Sequence, residues 1–242
     1  MDAPILPPLY TPVVLPGPGA FDHACVRAGE LGAAALVWSD RRDRLELAVV
    51  LEPEEPLGPA LRALYVGAVA LGDAIGALGP PNKPVTFGWP DRVEVDGACV
   101  GGVRLAAGPV EGGVPAWLVL GAEIDVTGDL DDPAPGRHVG RTALWEEGFG
   151  EVEVPALVES FSRFFLSWAG RYVEEGFAPV RDVWLGRTPG RGRQIARVVG
   201  GGHVAGRFED LDDLGALVLA DGRRVGIEAV LAGPTWRPRA VG

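Results

Sequence analysis

The run Phe87-Gly88-Trp89-Pro90-Asp91-Arg92-Val93-Glu94-Val95-Asp96-Gly97-Ala98-Cys99-Val100-Gly101-Gly102-Val103 decides how the rest of the chain is read. Trp89-Pro90 makes a corner after one strand, because proline fixes its own φ and holds the residue before it extended. Asp96-Gly97 is a hairpin turn, since both residues tolerate positive φ at low cost. A short strand lies between these two features, and a third strand carrying Gly101 and Gly102 follows them. Glycines inside a strand remove side chains where a ligand or another backbone comes close. A hairpin built only for stability has no need of them.

Upstream of this run, apolar residues fall at 57, 61, 64, 65, 68, 69, 71 and 75, a helical spacing with an apolar surround. The spacing predicts a buried helix over 57–78, ended by Gly79-Pro80-Pro81-Asn82. Residues 33–38 and 45–51 are strand-like runs flanking the charged tip Ser39-Asp40-Arg41-Arg42-Asp43-Arg44, which is a hairpin signature. A helix over 21–31 is entered through Asp22. Residues 1–19 are expected to form an extended arm, because Pro4, Pro7, Pro8, Pro12, Pro16 and Pro18 deny a helix its donors. Downstream, strands are expected over 85–87, 92–95, 98–106 and 116–124, and helices over 154–172 and 177–185. The stretch 186–193, GRTPGRGR, has the composition of an exposed linker. Residues 194–230 hold four or five short apolar runs cut by glycines and Asp-Gly, the spacing of a small β-barrel packed on a larger domain. The chain thus divides into an arm (1–19), an α/β domain (20–185), a linker (186–193) and a small β-domain (194–242).

Composition narrows the function. The 242 residues carry 33 acidic and 22 basic side chains, a net charge of -11, and of the basic ones only Lys83 is a lysine. Such a chain has no broad basic face to neutralise nucleic-acid phosphates or anionic lipid. No apolar run is expected to reach the roughly 18 to 20 residues that span a bilayer. The proline-rich start lacks the basic and apolar segments of a signal peptide. Two cysteines, Cys25 and Cys99, make neither a disulfide framework nor a zinc site, and His23, His138 and His203 show no metal spacing. A cytoplasmic, disulfide-free protein is the expectation.

The quoted run resembles the central motif of the biotin and lipoate protein ligase superfamily, where a strand with Lys-Trp-Pro-Asn-Asp precedes a hairpin and a Gly-Gly-Ile or Ala-Gly-Ile strand. The similarity extends outward in order. Trp38 and its hairpin fall where the family begins its ligand loop, the 57–78 helix falls at its long central helix, and Leu120-Gly121-Ala122-Glu123-Ile124-Asp125-Val126 resembles its Gly-x-Gly-Ile-Asn strand. The resemblance implies a mixed central sheet with packed helices and a C-terminal SH3-like barrel. It also implies a carboxylated or acyl ligand such as biotin, lipoate or a fatty acyl group, attached to a lysine of a carrier domain through an acyl-adenylate made with ATP and Mg2+. The implied ligand-binding positions are Trp38, Arg41, Arg42, Gly88, Trp89, Pro90, Asp91, Gly101, Gly102, Arg104, Gly121 and Asp125, with a pocket formed by Trp89, Gly101, Gly102 and the Gly121 strand.

The departures bear on the chemistry. Gly88 stands where the family places its catalytic lysine, whose charge balances substrate carboxylate and α-phosphate, a contribution typically of about a hundred- to a thousand-fold in rate. Asp91-Arg92 replaces Asn-Asp, Glu123 and Asp125 replace a glycine and an asparagine, and the Gly-Arg loop that wraps the adenylate shrinks to a glycine-free tip. These changes argue against ATP-dependent activation. Lys83 cannot stand in for the lysine, because an extended chain carries it about 3.3 Å farther per residue, and it reads as a solvated loop lysine. Arg104, in an apolar run, calls for a partner: either a ligand in the pocket or a core carboxylate such as Asp125 or Glu123. Arg41, Arg42 and Arg44 alternate with Asp40 and Asp43 as a self-neutralising tip or grip an anion. Cys99 lies close to a lysine position of the superfamily's acyltransferases and reads as a small buried thiol, with no base near it in sequence. Three function classes remain: a ligand-binding ligase-like protein, an ATP-independent acyltransferase, and a non-catalytic interaction module. An open Trp89 pocket with Arg104 or Arg41 pointing into it favours ligand chemistry, and bulky side chains filling it favour the module.

Overall fold

A computed structural model of the chain describes residues 3–127 and 140–236. His138 and the last residues of the expected C-terminal domain, 237–242, lie outside them. The elements run β1 (Thr11–Leu15), α1 (Ala20–Leu31), β2 (Ala35–Ser39), β3 (Arg44–Leu51), α2 (Leu57–Ala60), α3 (Ala63–Leu78), β4 (Val85–Gly88), β5 (Arg92–Val95), β6 (Ala98–Ala107), β7 (Val110–Glu111), β8 (Val114–Pro115), β9 (Leu118–Asp125), α4 (Val154–Glu175) and α5 (Ala178–Gly186). There follow β10 (Gln194–Val199), β11 (Gly202–Leu211), β12 (Leu217–Leu219), β13 (Arg224–Val225) and a 3-10 helix, Ile227–Ala232.

A seven-stranded mixed sheet in the order β1-β2-β3-β9-β6-β5-β4 forms the centre. Only β1 is parallel to its neighbour, joined to β2 through the crossover helix α1. Strand alternation sends Leu36, Trp38, Leu45, Leu47, Leu120, Ile124, Val103, Leu105 and Val93 to one face, where the core also takes in α3, α4 and α5. The intervening residues Ala35, Val37, Ala48, Val50 and Val119 face α1 and its buried alanines Ala20, Ala24 and Ala28. That helix packs against β2, β3 and β9. The fold is therefore one helix, a sheet and a helical layer, and beyond the reach of α1 the strand β6 packs against the 3-10 helix.

Three expectations change. The proline-rich arm is extended, but Thr11–Leu15 joins the sheet as an edge strand, the one place in a sheet where Pro12 is tolerated. The stretch 57–78 is long and apolar enough to cross a bilayer, contrary to the reading that no run is; 67% of that window is buried, with Leu64, Tyr65, Ala68, Leu71 and Ile75 in the core. The 186–193 segment is pinned rather than free. Arg187 pairs with Asp73 at 2.6 Å and its carbonyl accepts the Phe87 N–H, while the buried Thr188 hydroxyl donates to the Trp184 carbonyl.

Beyond it the chain forms a four-stranded antiparallel sheet, order β10-β11-β12-β13, and these pairings include no closure into a barrel. Its inner residues Val199, Val204, Phe208, Leu211, Leu217 and Leu219 belong to the same core cluster as the large sheet. Phe208 lies 6.2 Å from Trp184 of α5. The small sheet is thus covered by the larger body rather than by itself.

Candidate functional site

The quoted run places its residues as strand register dictates. Gly88 pairs with Arg92, Arg92 with Gly102, Gly102 with Glu123 and Glu123 with Glu46. Directly paired residues share a face, so these five form one row across the sheet, on the α1 side. Arg92 therefore stands directly opposite the position where the resembled family has its lysine. A Cβ at Gly88 would sit 2.9 Å from Glu94 Oε1 and 3.2 Å from Arg92 Cβ, so those two side chains occupy the room that a residue at 88 would need.

Carboxylates and arginines alternate around this row. Glu123, buried, pairs with Arg104 at 2.8 Å, and the Arg104 guanidinium lies 3.9 Å over the Phe21 ring of α1. Asp125 pairs with the buried Arg44 at 2.9 Å and with Arg141 at 3.3 Å. Glu46 accepts the Gly19 N–H at 2.9 Å, the Ser39 hydroxyl at 3.1 Å and Arg41 at 3.2 Å. Arg41 also holds Asp43. Burial raises the Glu123 carboxyl above the usual carboxylate range, against the pull of Arg104, and raises Glu94 against Arg197 and Arg92. Burial, together with the nearby Arg92, lowers the Arg197 guanidinium of β10. Segment 140–142 is held beside Cys99 by main-chain hydrogen bonds from Cys99 to Gly140 and from Thr142 to Cys99, which is what delivers Arg141.

The glycine pair is explained by close approach. Gly101 has φ +147, and a Cβ there would collide with the Glu123 carbonyl. A Cβ on Gly102 would strike the Asp91 carbonyl and lie 2.5 Å from Trp236 Nε1. The indole donates to the Val103 carbonyl at 3.3 Å. With Trp236 in place, the space among Arg44, Gly101, Glu123, Asp125, Arg141 and Trp236 has no room for even a water-sized guest, a cavity volume of about 0 Å3. Ligand pockets are typically about 300–1,000 Å3. Asp91, 1% exposed, accepts the Thr235 N–H at 2.7 Å and the Thr235 hydroxyl at 2.5 Å, and burial pushes its carboxyl up to about 6.

The twelve expected site residues therefore separate. Gly88, Asp91, Gly101, Gly102, Arg104, Gly121, Asp125 and Arg41 lie on or beside the row, with Arg104 turned to Glu123 and Arg41 to Asp43 and Glu46 rather than to open space. Gly121 is covered by Phe21 and Arg104. Trp38 and Trp89 point the other way, 3% exposed each in the helical core, because the strand period carries them to the opposite face from Ser39 and Gly88. With Trp89 goes the expected pocket of Trp89, Gly101, Gly102 and Gly121. Pro90 follows Trp89 through a cis peptide at the corner. Arg42 lines a separate cavity of about 520 Å3 with Val126, Trp145, Phe149 and Glu153. Lys83 bridges Asp96 at 2.7 Å and Glu147 at 3.0 Å. A larger apolar cavity, about 820 Å3, opens between β3, α3 and α4 on the helical side of the sheet.

Four residues of the site escape the sequence reading: Arg92, Arg141, Thr235 and Trp236. Arg92 has a signal, since a chain reversal centred on Pro90 sets 88 opposite 92. Trp236 has none, being brought to Val103 across 133 positions.

Comparisons with known proteins bear on the family and the fold. Residues 6–186 match the family model described as Biotin/lipoate A/B protein ligase family. The chain is 31% identical, over 173 residues covering 71% of each protein, to a biotin--[acetyl-CoA-carboxylase] ligase of Paracoccus denitrificans. Among solved structures it is similar to a biotin protein ligase-like protein of unknown function from Silicibacter sp. TM1040, at 32% identity and TM-score 0.84 over 95% of this chain and 99% of that one. It shares the fold of the biotin protein ligase of Aquifex aeolicus at 15% identity, TM-score 0.72, over 90% of this chain and 95% of that one.

Proposed function

Because this chain belongs to the biotin/lipoate A/B protein ligase family, we propose that it uses the family's sheet face to bind a carboxylated or acyl ligand of the biotin, lipoate or fatty-acyl type without activating that ligand with ATP. The observation that carries the reading is the row Gly88-Arg92-Gly102-Glu123-Glu46. Forming an acyl-adenylate brings a carboxylate against an α-phosphate, and stabilising that approach requires positive charge preorganised at the point of contact. Here position 88 supplies none, and Arg104, Arg44 and Arg41 are each turned to a carboxylate of the chain itself. The residues that would meet ATP or an acyl-adenylate thus form a closed charge network, and ATP with Mg2+ fits it poorly. What remains suited to a ligand is the glycine-lined strand for close approach and Arg92 with Arg141 beside it.

ATP-pyrophosphate exchange with biotin, lipoate and octanoate tests this. The expected result is no exchange above background together with measurable calorimetric binding of at least one of the three; robust exchange refutes the proposal. Thioester chemistry through Cys99 is disfavoured by the same geometry. The residue is 4% exposed, its thiol donates to the Gly101 carbonyl at 3.5 Å, and burial raises its pKa.

A second reading, a protein-interaction module inherited on the same fold, is favoured by the indole that fills the glycine slot. It predicts a stable complex with a biotinyl or lipoyl carrier domain and no binding of the free carboxylates. Either reading suits a cytoplasmic protein.

A further inference from the structure

Resting on the carboxylate-binding reading above, we propose that Thr235-Trp236 is an internal ligand of this face, and that Arg92 and Arg141, whose guanidiniums it engages, are the residues that receive an external carboxylate when it is displaced. Side chains of the sheet hold these two residues largely by their main-chain groups. Arg92 Nη2 donates to the Thr235 carbonyl at 3.0 Å and Nε to its hydroxyl at 3.3 Å. Arg141 Nη1 donates to the Trp236 carbonyl at 2.9 Å. Thr235 donates its N–H and its hydroxyl to the two oxygens of Asp91. The indole lies where Gly102 has no side chain and closes the space bounded by Gly101, Glu123 and Asp125.

Two main-chain carbonyls thus sit on two guanidiniums beside the position where the family motif places its lysine. A carbonyl is a neutral acceptor, whereas a carboxylate brings a full negative charge and can take two parallel N–H groups of a guanidinium at once. A carboxylate with an apolar chain can therefore replace both parts of the segment: its oxygens take the places of the carbonyls, and its chain takes the place of the indole over the glycines. The resident segment also lowers apparent affinity by the fraction of molecules in which the face is free. A segment seated in about 90–99% of molecules weakens binding by about ten- to a hundred-fold, and this range is what its removal should restore.

The test uses the full chain with octanoate, biotin and lipoate as calorimetric probes, in wild type, Trp236→Ala, Thr235→Val and Arg92→Ala, each checked for an intact fold by near-ultraviolet circular dichroism. The expected result is at least about tenfold tighter binding of one probe by Trp236→Ala, a smaller gain for Thr235→Val, and loss of binding in Arg92→Ala, alone and combined with Trp236→Ala. Amide hydrogen exchange supplies the second readout. The Thr235 amide is slow in the ligand-free wild type and speeds up when the probe is added. Equal affinities in wild type and Trp236→Ala, or a Thr235 amide exchanging at the unstructured rate without ligand, overturn the internal ligand while leaving the binding reading standing. Absence of binding in every variant overturns both. Thr235→Val guards against a Trp236→Ala chain that fails to fold, because it removes one hydroxyl and leaves the indole.

Discussion

Replacing Asp91 by Asn should change the pH dependence of stability in a direction fixed by burial. The Asp91 carboxyl is 1% exposed and lifted from 3.8 to about 6, chiefly by desolvation, with Thr235 and Arg92 pulling the other way. A folded pKa above the unfolded one means that the native state prefers the protonated acid. The stabilisation is complete below about pH 3.8 and is lost as pH rises through about 6. The gap of about two pKa units corresponds to about 3 kcal/mol. Asparagine keeps the size of the side chain, accepts the Thr235 N–H and does not titrate. Urea denaturation at a series of pH values should therefore show the stability difference, Asp91→Asn variant minus wild type, growing in the variant's favour by about 3 kcal/mol between about pH 4 and about pH 8. Parallel profiles would refute the assignment of the shift to burial. A difference moving against the variant would show that Thr235 and Arg92 outweigh desolvation and hold Asp91 ionised.

Four further outcomes are expected. Glu123→Gln, which leaves Arg104 without its charge partner in a site only 16% and 6% exposed at the two side chains, should cost about 3 kcal/mol by urea denaturation. The double variant Arg104→Met/Glu123→Leu should be more stable than either single change, since removing both charges removes both desolvation costs. Native Cys25, whose thiol is pushed up to about 11 by burial and Asp22, and Cys99, raised by burial, should both react slowly with a disulfide reagent at about pH 8. The thiolate fraction of Cys25 there is about a thousandth, and a thiol titrating at the speed of a free cysteine would contradict this. Gly88→Lys should pair with Glu94, which lies 2.9 Å from the position of the new Cβ, and should leave ATP-pyrophosphate exchange at background; restored exchange would show that the missing lysine alone silences the site.

The strands from Val85 to Ala107 are legible in the sequence because their turns are local: Trp89-Pro90 and Asp96-Gly97 fix both register and facing within a few residues. The same locality explains the helices, whose apolar spacing is written along one segment. What is not legible depends on partners far along the chain. Thr11–Leu15 carries no strand signal beyond extension, and joins the sheet only because α1 returns the chain to lay β2 beside it. Trp38 and Trp89 belong to the ligand pocket by motif position alone, and the folded chain buries both in the helical core. Alternation does say that Trp38 and Ser39 face opposite ways, but which face is the core depends on where α3 and α4 pack. Sequence narrows the partner of Arg104 to a pocket or a core carboxylate, and the pairing of Gly102 with Glu123 two residues before Arg104 meets Gly121 settles it for Glu123.

The count of arginines on this face is a poor measure of its capacity for anions. Glu123 and Asp125, which stand where the family motif has uncharged residues, are buried or nearly so, and a carboxylate there is held only beside a cation. Each acidic replacement therefore ties up an arginine, Arg104 for Glu123 and Arg44 for Asp125, while Arg141 divides its guanidinium between Asp125 and the Trp236 carbonyl. The sequence motif alone places basic residues on one face, whereas the field there is largely cancelled by charges a few ångströms away. Arg92 differs from the others in what it grips, a carbonyl and a hydroxyl of Thr235 rather than a carboxylate. Its guanidinium is the cation of this row, and among the described residues its hydrogen-bond partners are neutral. Under the proposed function, a ligand that brings a single carboxylate is therefore the better match to the face than a nucleotide that brings several phosphates, and binding of the acid does not require adenylation.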